Sequence, residues 1–245
     1  MDTTHLSLLF LAVGLIAFLY SSVGHAGASG YIAIMTLFGL APTVIRPTTL
    51  VLNILVASTG AFQFWRAGHF SWKLFWPFAL LSIPAAYVGG YLQPSTSVLR
   101  ILIGVVLLFS AARLMFRRSD PSQTVIPSRP VAISVGASLG FLSGLTGTGG
   151  GIFLTPLLLF CHWARIRQAA AVSALFIWVN SIAGLVGYFT KVHSIPSLGL
   201  ILGAAAIIGG IVGSHLGSRH LAVRAISLLL ATVLLIAGMK LIFTR

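Results

Sequence analysis

Apolar residues run along this chain in long blocks, each broken by one to a few polar positions, and ten such blocks can be marked. They cover about 6–23, 29–40, 47–65, 73–92 and 98–116, then 131–145, 151–161, 169–189, 198–216 and 225–243. A helix that crosses a bilayer needs ~20 mostly apolar residues. Most of the blocks approach that length, and the pattern predicts an all-α integral membrane protein. The second and seventh are too short to cross unaided and read as half-helices or as pieces of a broken helix. A polar stretch separates the two groups of five. The chain divides into a first transmembrane repeat, 1–116, a cytoplasmic connector, 117–130, and a second repeat, 131–245.

The two groups match each other. Gly30 pairs with Gly151 and Arg46 with Arg167 at one constant offset. After three extra residues, a second offset pairs Thr49 with Ser173, Gly60 with Gly184, Phe64 with Tyr188, His69 with His193, Gly89 with Gly213 and Arg100 with Arg224. Five passes per half turn the second copy upside down. If the short blocks re-enter instead, the halves become parallel. With the connector in the cytoplasm, ten basic residues face inward (Arg66, Lys73, Arg113, Arg117, Arg118, Arg129, Arg165, Arg167, Arg219, Arg224). Five face outward (Arg46, Arg100, Lys191, Lys240, Arg245). That bias follows the positive-inside rule and puts both termini on the periplasmic side.

Composition agrees with the pattern. The chain is 58% hydrophobic and 7% charged, with a mean hydropathy of +1.04; soluble domains carry about 25% charged residues. A net charge of +13 would suggest nucleic acid in a soluble protein. Here the bases stand singly between apolar blocks, which points to anchoring at lipid headgroups and away from nucleic acid. The single cysteine, Cys161, allows no disulfide framework, and the seven histidines have no metal-ligand spacing. Nothing in the pattern asks for a metal or a cofactor.

Candidate chemistry lies in two glycine-rich breaks, 22–30 and 143–151. Irregular backbone inside a membrane is tolerated only where protein buries it or where it lines a cavity. Half-helices starting near Ser29-Gly30 and Gly150-Gly151 would present unpaired N–H groups and about half a positive charge each. Two such ends facing one another make an anion site, and matched broken helices point to a transporter's midplane site. A cation site would need carboxylates, and the only acids, Asp2 and Asp120, lie at a terminus and in the connector.

The candidate substrate-binding residues are Ser22, Gly24, His25, Gly27, Ser29, Gly30, Thr146, Gly147, Thr148, Gly149, Gly150 and Gly151, with Asn53 and Asn180 from neighbouring helices. Ser21, Ser143, Thr49 and Ser173 are further polar neighbours; interhelical hydrogen bonding is the first explanation for Thr49 and Ser173 and weighs evenly for the two asparagines. His25 binds the anion, carries a proton with it, or is a satisfied buried polar group. Arg46 and Arg167 draw anions toward the site from opposite faces or snorkel to headgroups. Close helix packing accounts for Gly89-Gly90 and for Gly209-Gly210-Ile-Val-Gly213; it does not suit consecutive glycines such as Gly149-Gly150-Gly151, each costing ~1 kcal/mol in a helix.

Gly-Leu-Thr-Gly-Thr-Gly-Gly-Gly-Ile-Phe-Leu-Thr-Pro156 resembles the glycine-rich signature of the sulfite exporter TauE/SafE family. The stretch from Ser22 to Gly30 with Arg46 and Asn53, and Arg66-Ala-Gly-His-Phe-Ser-Trp72, are similar to its first half. The first motif departs from the family in carrying His25, Ala26, Ala28 and Ser29 where glycines are common. The resemblance implies a permease of the bacterial inner membrane that moves sulfite, organosulfonates or related anions, often outward, and is not an enzyme. An anion channel, and a membrane enzyme or assembly factor using His25 and His162, stay open beside it, as does a homo-oligomer.

Overall fold

The structure, a computed structural model, describes residues 3–92, 108, 111–112, 123–191 and 197–243. The fifth predicted block (98–116) and the first part of the connector fall outside the described residues, apart from three helical positions. Among the described residues the long elements are α1 Thr3–Ser21, α2 Ala28–Leu37, α3 Pro42–Arg66, α4 Trp72–Leu92, α5 Arg129–Thr146, α6 Gly151–Phe160, α7 Ile166–Lys191, α8 Ser197–Arg219 and α9 Val223–Phe243. No strand occurs among them. Thr43–Arg66, Trp72–Leu92, Ile166–Lys191 and Leu198–Arg219 are long and apolar enough to cross a membrane.

The predicted half-helices are present as α2 and α6, ten residues each. At 1.5 Å per residue that is about 15 Å, half of a bilayer core. Helix α3 starts earlier than the apolar pattern predicts, because Pro42 suits a first turn whose N–H groups have no acceptor. Pro47 then sits inside the helix and cannot donate to the Thr43 carbonyl. The Tyr188 hydroxyl of α7 donates to that carbonyl instead, at 3.1 Å. A tertiary contact thus offsets a local defect.

Glycine rows join the helices into two bundles. A Cβ on Gly136, Gly140 or Gly144 of α5 would overlap the carbonyls of Phe78, Ser82 and Ala86 of α4. Both series ascend together, so α4 and α5 run parallel with their backbones in contact. Gly209, Gly213 and Gly217 of α8 bear the same relation to Gly14, Phe18 and Ser22 of α1. The packing role expected for Gly89, Gly90, Gly209 and Gly213 is what the helices use, and Gly136 and Gly140 extend it. Without a hydrophobic force between helices in lipid, small residues at four-residue spacing gain close van der Waals contact.

The same contacts set directions. Helix α3 runs with α8 (Val51 by Gly199, Leu55 by Gly203, Val56 by Gly210) and against α7 (Leu50 by Gly184, Gly60 by Ala174). Helix α4 runs with α7, Tyr87 lying against Gly187 and the Lys191 ammonium 5.8 Å from the Tyr91 ring centre. So α1, α3 and α8 point one way, and α4, α5 and α7 the other. The short helices return toward the start of the helix before them. Gly30 meets Ile16, and the His5 and Phe38 rings lie 6.1 Å apart. In the second half Gly150 folds back beside Ser143 and Leu139.

Two apolar cores result. One joins Leu9 and Val13 of α1, Tyr31 and Met35 of α2, Leu52 and Val56 of α3, and Leu202 and Ala206 of α8. The other joins Phe75 and Phe78 of α4, Leu154 and Leu158 of α6, Phe176 of α7 and Leu234 of α9. The first-half helices α1, α2 and α3 take in α8 from the second half, and α5, α6, α7 and α9 take in α4 from the first.

Candidate functional site

Each half-helix begins at a glycine in the left-handed region, Gly27 (φ 108°) for α2 and Gly150 (φ 79°) for α6. A side chain there would be strained by roughly 1–2 kcal/mol. Each N-cap is a glycine with no side chain to offer, so the first turn has no N-cap side-chain acceptor. Gly30 and Gly151 are helical and serve a different purpose: a Cβ would press into Ile16 and Ile177 respectively. They let the half-helices sit against α1 and α7.

A small cavity of about 10 Å³, room for roughly one water, lies between the two starts. Tyr20, His25, Gly27, Ser29, Thr148, Ile152 and Ile177 line it, with Ala26 and Ala28. The tertiary structure thus brings residues of both breaks, over 100 positions apart in sequence, to one place. Tyr20 and Ser29 share a hydroxyl hydrogen bond of 2.8 Å. His25 crosses from the first break to the second half-helix. Its Nε2 lies 3.1 Å from the Gly151 carbonyl oxygen and 2.8 Å from Thr155 Oγ1. Thr155 in turn donates to Ser173 Oγ of α7 at 2.7 Å.

Of the residues predicted from sequence, His25, Gly27, Ser29 and Thr148 line the cavity, Gly24, Gly147, Gly149 and Gly150 form the turns beside it, and Gly30 and Gly151 lie in the half-helices. Thr146 donates to the Leu142 carbonyl at 2.7 Å and shares a 2.8 Å bond with Thr148. Asn53 donates to the Gly147 carbonyl at 3.4 Å, steadying the second break from α3. Ser22 and Asn180 turn to carbonyls of their own helices, Leu19 and Phe176. Even so, Asn53 Oδ1, Asn180 Oδ1, Ser143 Oγ, Ser181 Oγ and His25 Nδ1 are buried without a hydrogen-bond partner. Buried polar atoms are nearly always satisfied, and a group of exceptions points to water or an ion.

Sequence reasoning missed Thr155, Tyr20 and Ser181. Thr155 was within reach, since it stands four residues after Gly151 and so shares its helix face. Tyr20 and Ser181 carry no local signal and join the site only through packing.

Arg46 and Arg167 are tied to helix ends. The Arg46 Nη2 donates to the carbonyls of Gly89 (3.1 Å), Gly90 (3.4 Å) and Gly144. These belong to the last turns of α4 and α5, where carbonyls lack intrahelical donors and the dipole is negative. Arg167 Nη2 donates to Leu221 just beyond α8, at 2.8 Å. The two arginines therefore hold the ends of corresponding helices in the two halves. Arg46→Met should lower the unfolding free energy in detergent by about 2 kcal/mol, read as a fall in thermal midpoint, with Arg46→Lys intermediate.

The sulfite exporter TauE/SafE family profile matches residues 9–241. The chain belongs to this family. A probable membrane transporter protein of Sinorhizobium fredii, y4hK, is 38% identical over 99% of this chain and 100% of its own length. The probable membrane transporter protein YjnA of Bacillus subtilis is 25% identical, covering 89% of this chain and 92% of that protein. A further probable membrane transporter, from Methanocaldococcus jannaschii, is 24% identical over 78% of this chain and 76% of its own. No solved structure matches the chain. As a TauE/SafE protein it is a multi-pass membrane transporter for a small molecule and not an enzyme. The motif that carried the resemblance, from Gly144 to Pro156, is the one that builds the second break and the turn of α6 that His25 touches.

Proposed function

We propose that this transporter moves a small sulfur-containing anion, such as sulfite or an organosulfonate, out of the cell across the bacterial inner membrane by alternating access. The observation that carries this reading is a cavity touched by both half-helix starts, neither of which has an N-cap side chain. Each start presents about +0.5 of an elementary charge, and the chain's two acids, Asp2 and Asp120, lie outside its apolar segments. Such a place favours an anion. Export from a negative-inside cell gains ~2.3 kcal/mol per charge per 100 mV.

The halves 1–116 and 131–245 act as inverted repeats joined by the cytoplasmic connector, with both termini periplasmic. The opposed directions of α1 and α5, and of α3 and α7, support this arrangement. The moving bodies are the two bundles, α1–α2–α3–α8 and α4–α5–α6–α7–α9, rocking about the cavity between them. Arg46 and Arg167 also raise the local anion concentration on the two sides. A cavity with room for about one water is too small for a sulfur oxoanion as it stands, which favours a carrier that opens in turn to each side over a standing channel.

Purified protein in proteoliposomes should take up labelled sulfite with saturable initial rates, stimulated by a membrane potential positive on the side the anion enters. Flux that rises without saturation and resembles single-channel currents would replace the carrier by a channel. Absence of flux for sulfite and for simple sulfonates would remove the substrate class.

A further inference from the structure

His25, one of the residues that line the cavity, carries an acceptor that a fully deprotonated anion leaves unused. His25 is 4% exposed, and its Nε2 faces the Gly151 carbonyl and Thr155 Oγ1. The carbonyl only accepts. The Thr155 hydroxyl gives its proton to Ser173, so toward His25 it also accepts. Nε2 is therefore the protonated nitrogen, and in the neutral ring the lone pair resides on Nδ1. That atom is buried without a partner. The N–H groups beginning α2 and α6 donate, whereas Nδ1 accepts, so a complementary ligand needs anionic oxygens and a donor of its own.

We infer that, within the proposed transport role, the site takes a monoanion that still carries a hydroxyl, its charged oxygens at the half-helix starts and its O–H donated to His25 Nδ1. The chemical class is a monoprotonated oxoanion. Each such anion carries one proton with it, and no other coupling residue is needed. The titratable side chains that α1 and α2 bring to this region are Tyr20, already bonded to Ser29, and Tyr31, whose hydroxyl is buried without a partner. Helices α6 and α7 contribute Gly151, Thr155, Ser173 and Ile177, none of which titrates. His25 is thus the group that distinguishes a hydroxyl-bearing anion from one lacking it. A site built to hydrogen-bond a substrate hydroxyl rejects the analogue without it far more strongly than shape alone allows.

The test uses the full chain in proteoliposomes, labelled sulfite across a pH series, and methanesulfonate as a competitor of the same charge that carries a methyl group and no hydroxyl. Initial rates should follow the concentration of monoprotonated sulfite, and methanesulfonate should compete at least about tenfold more weakly. His25→Gln, which keeps an amide donor toward Gly151 and Thr155 but removes the Nδ1 acceptor, should make the two anions compete equally. His25→Asn, which offers an acceptor near the Nδ1 position, should keep the preference. Equal competition in the unmodified protein, rates that follow the dianion, or an unchanged preference in His25→Gln would each overturn the inference while leaving anion transport standing. If neither anion moves or competes in the unmodified protein, the transport reading fails and takes this inference with it.

Discussion

Gly150→Leu is expected to cut anion flux in proteoliposomes by about 100-fold or more, with the protein still inserted and monodisperse. Gly150 has φ 79°, and its added Cβ would lie 2.9 Å from Phe176 Cε1 and 3.2 Å from Ser143 Cβ. A left-handed backbone with a side chain costs roughly 1–2 kcal/mol. Packing offers no way to relieve the contact, because Phe176 is fully buried. The start of α6 therefore shifts, and the N–H groups aimed at the cavity shift with it. Displacement by about 1 Å is enough to cost two orders of magnitude in positioned chemistry, and the same geometric argument holds for an ion cradle. Gly68→Leu separates the causes. Gly68 also has a positive φ, 78°, but a Cβ there meets nothing within 4 Å. It carries the backbone penalty away from the cavity, and flux should stay within about twofold of normal by that argument. Equal loss in both variants would show that backbone strain, and not the place of Gly150, governs transport.

Gly144→Leu should remove the folded protein altogether, seen as loss of the monodisperse peak in detergent. Its Cβ would overlap the Ala86 carbonyl and stand 2.7 Å from the Gly90 nitrogen. Both obstacles are backbone of α4, which cannot rotate aside as a side chain can. Overpacking in ordinary cores costs about 1–3 kcal/mol, and here a whole helix pair must separate. The change also disturbs the Gly144 carbonyl that Arg46 caps. Gly60→Leu is the comparison, since an added Cβ at Gly60 makes only an ordinary 3.7 Å contact with Ala174; that variant should fold. If Gly144→Leu is as stable as Gly60→Leu, the parallel glycine contact of α4 and α5 is not what holds the bundle.

Much of the site was legible because glycine has few reasons to cluster in apolar sequence. The half-helices α2 and α6 begin within one residue of the positions that Ser29-Gly30 and Gly150-Gly151 indicated. The small-residue rows at Gly209 and Gly213 were readable as packing for the same reason. Arg46 was harder. Sequence offered anion attraction or lipid snorkelling, whereas the guanidinium faces the ends of α4 and α5. Its acceptors are backbone carbonyls, which leave no trace in residue identity. Tyr188 and Thr43 show the same blindness, because a proline's lost hydrogen bond is visible in sequence but the hydroxyl that replaces it is not.

By itself the sequence determined that the chain lives in a membrane and that the helices break at two glycine runs, and it suggested that the two halves correspond. Those properties follow from local chemistry: apolar length, residue spacing, and the dihedral freedom of glycine. Only the tertiary structure decided that the short helices return along their predecessors and that α4 and α8 exchange partners between the halves. It also decided that His25 of the first break rests on Gly151 and Thr155 of the second. Backbone contact along glycine rows sets those pairings, and which rows meet depends on the folded whole.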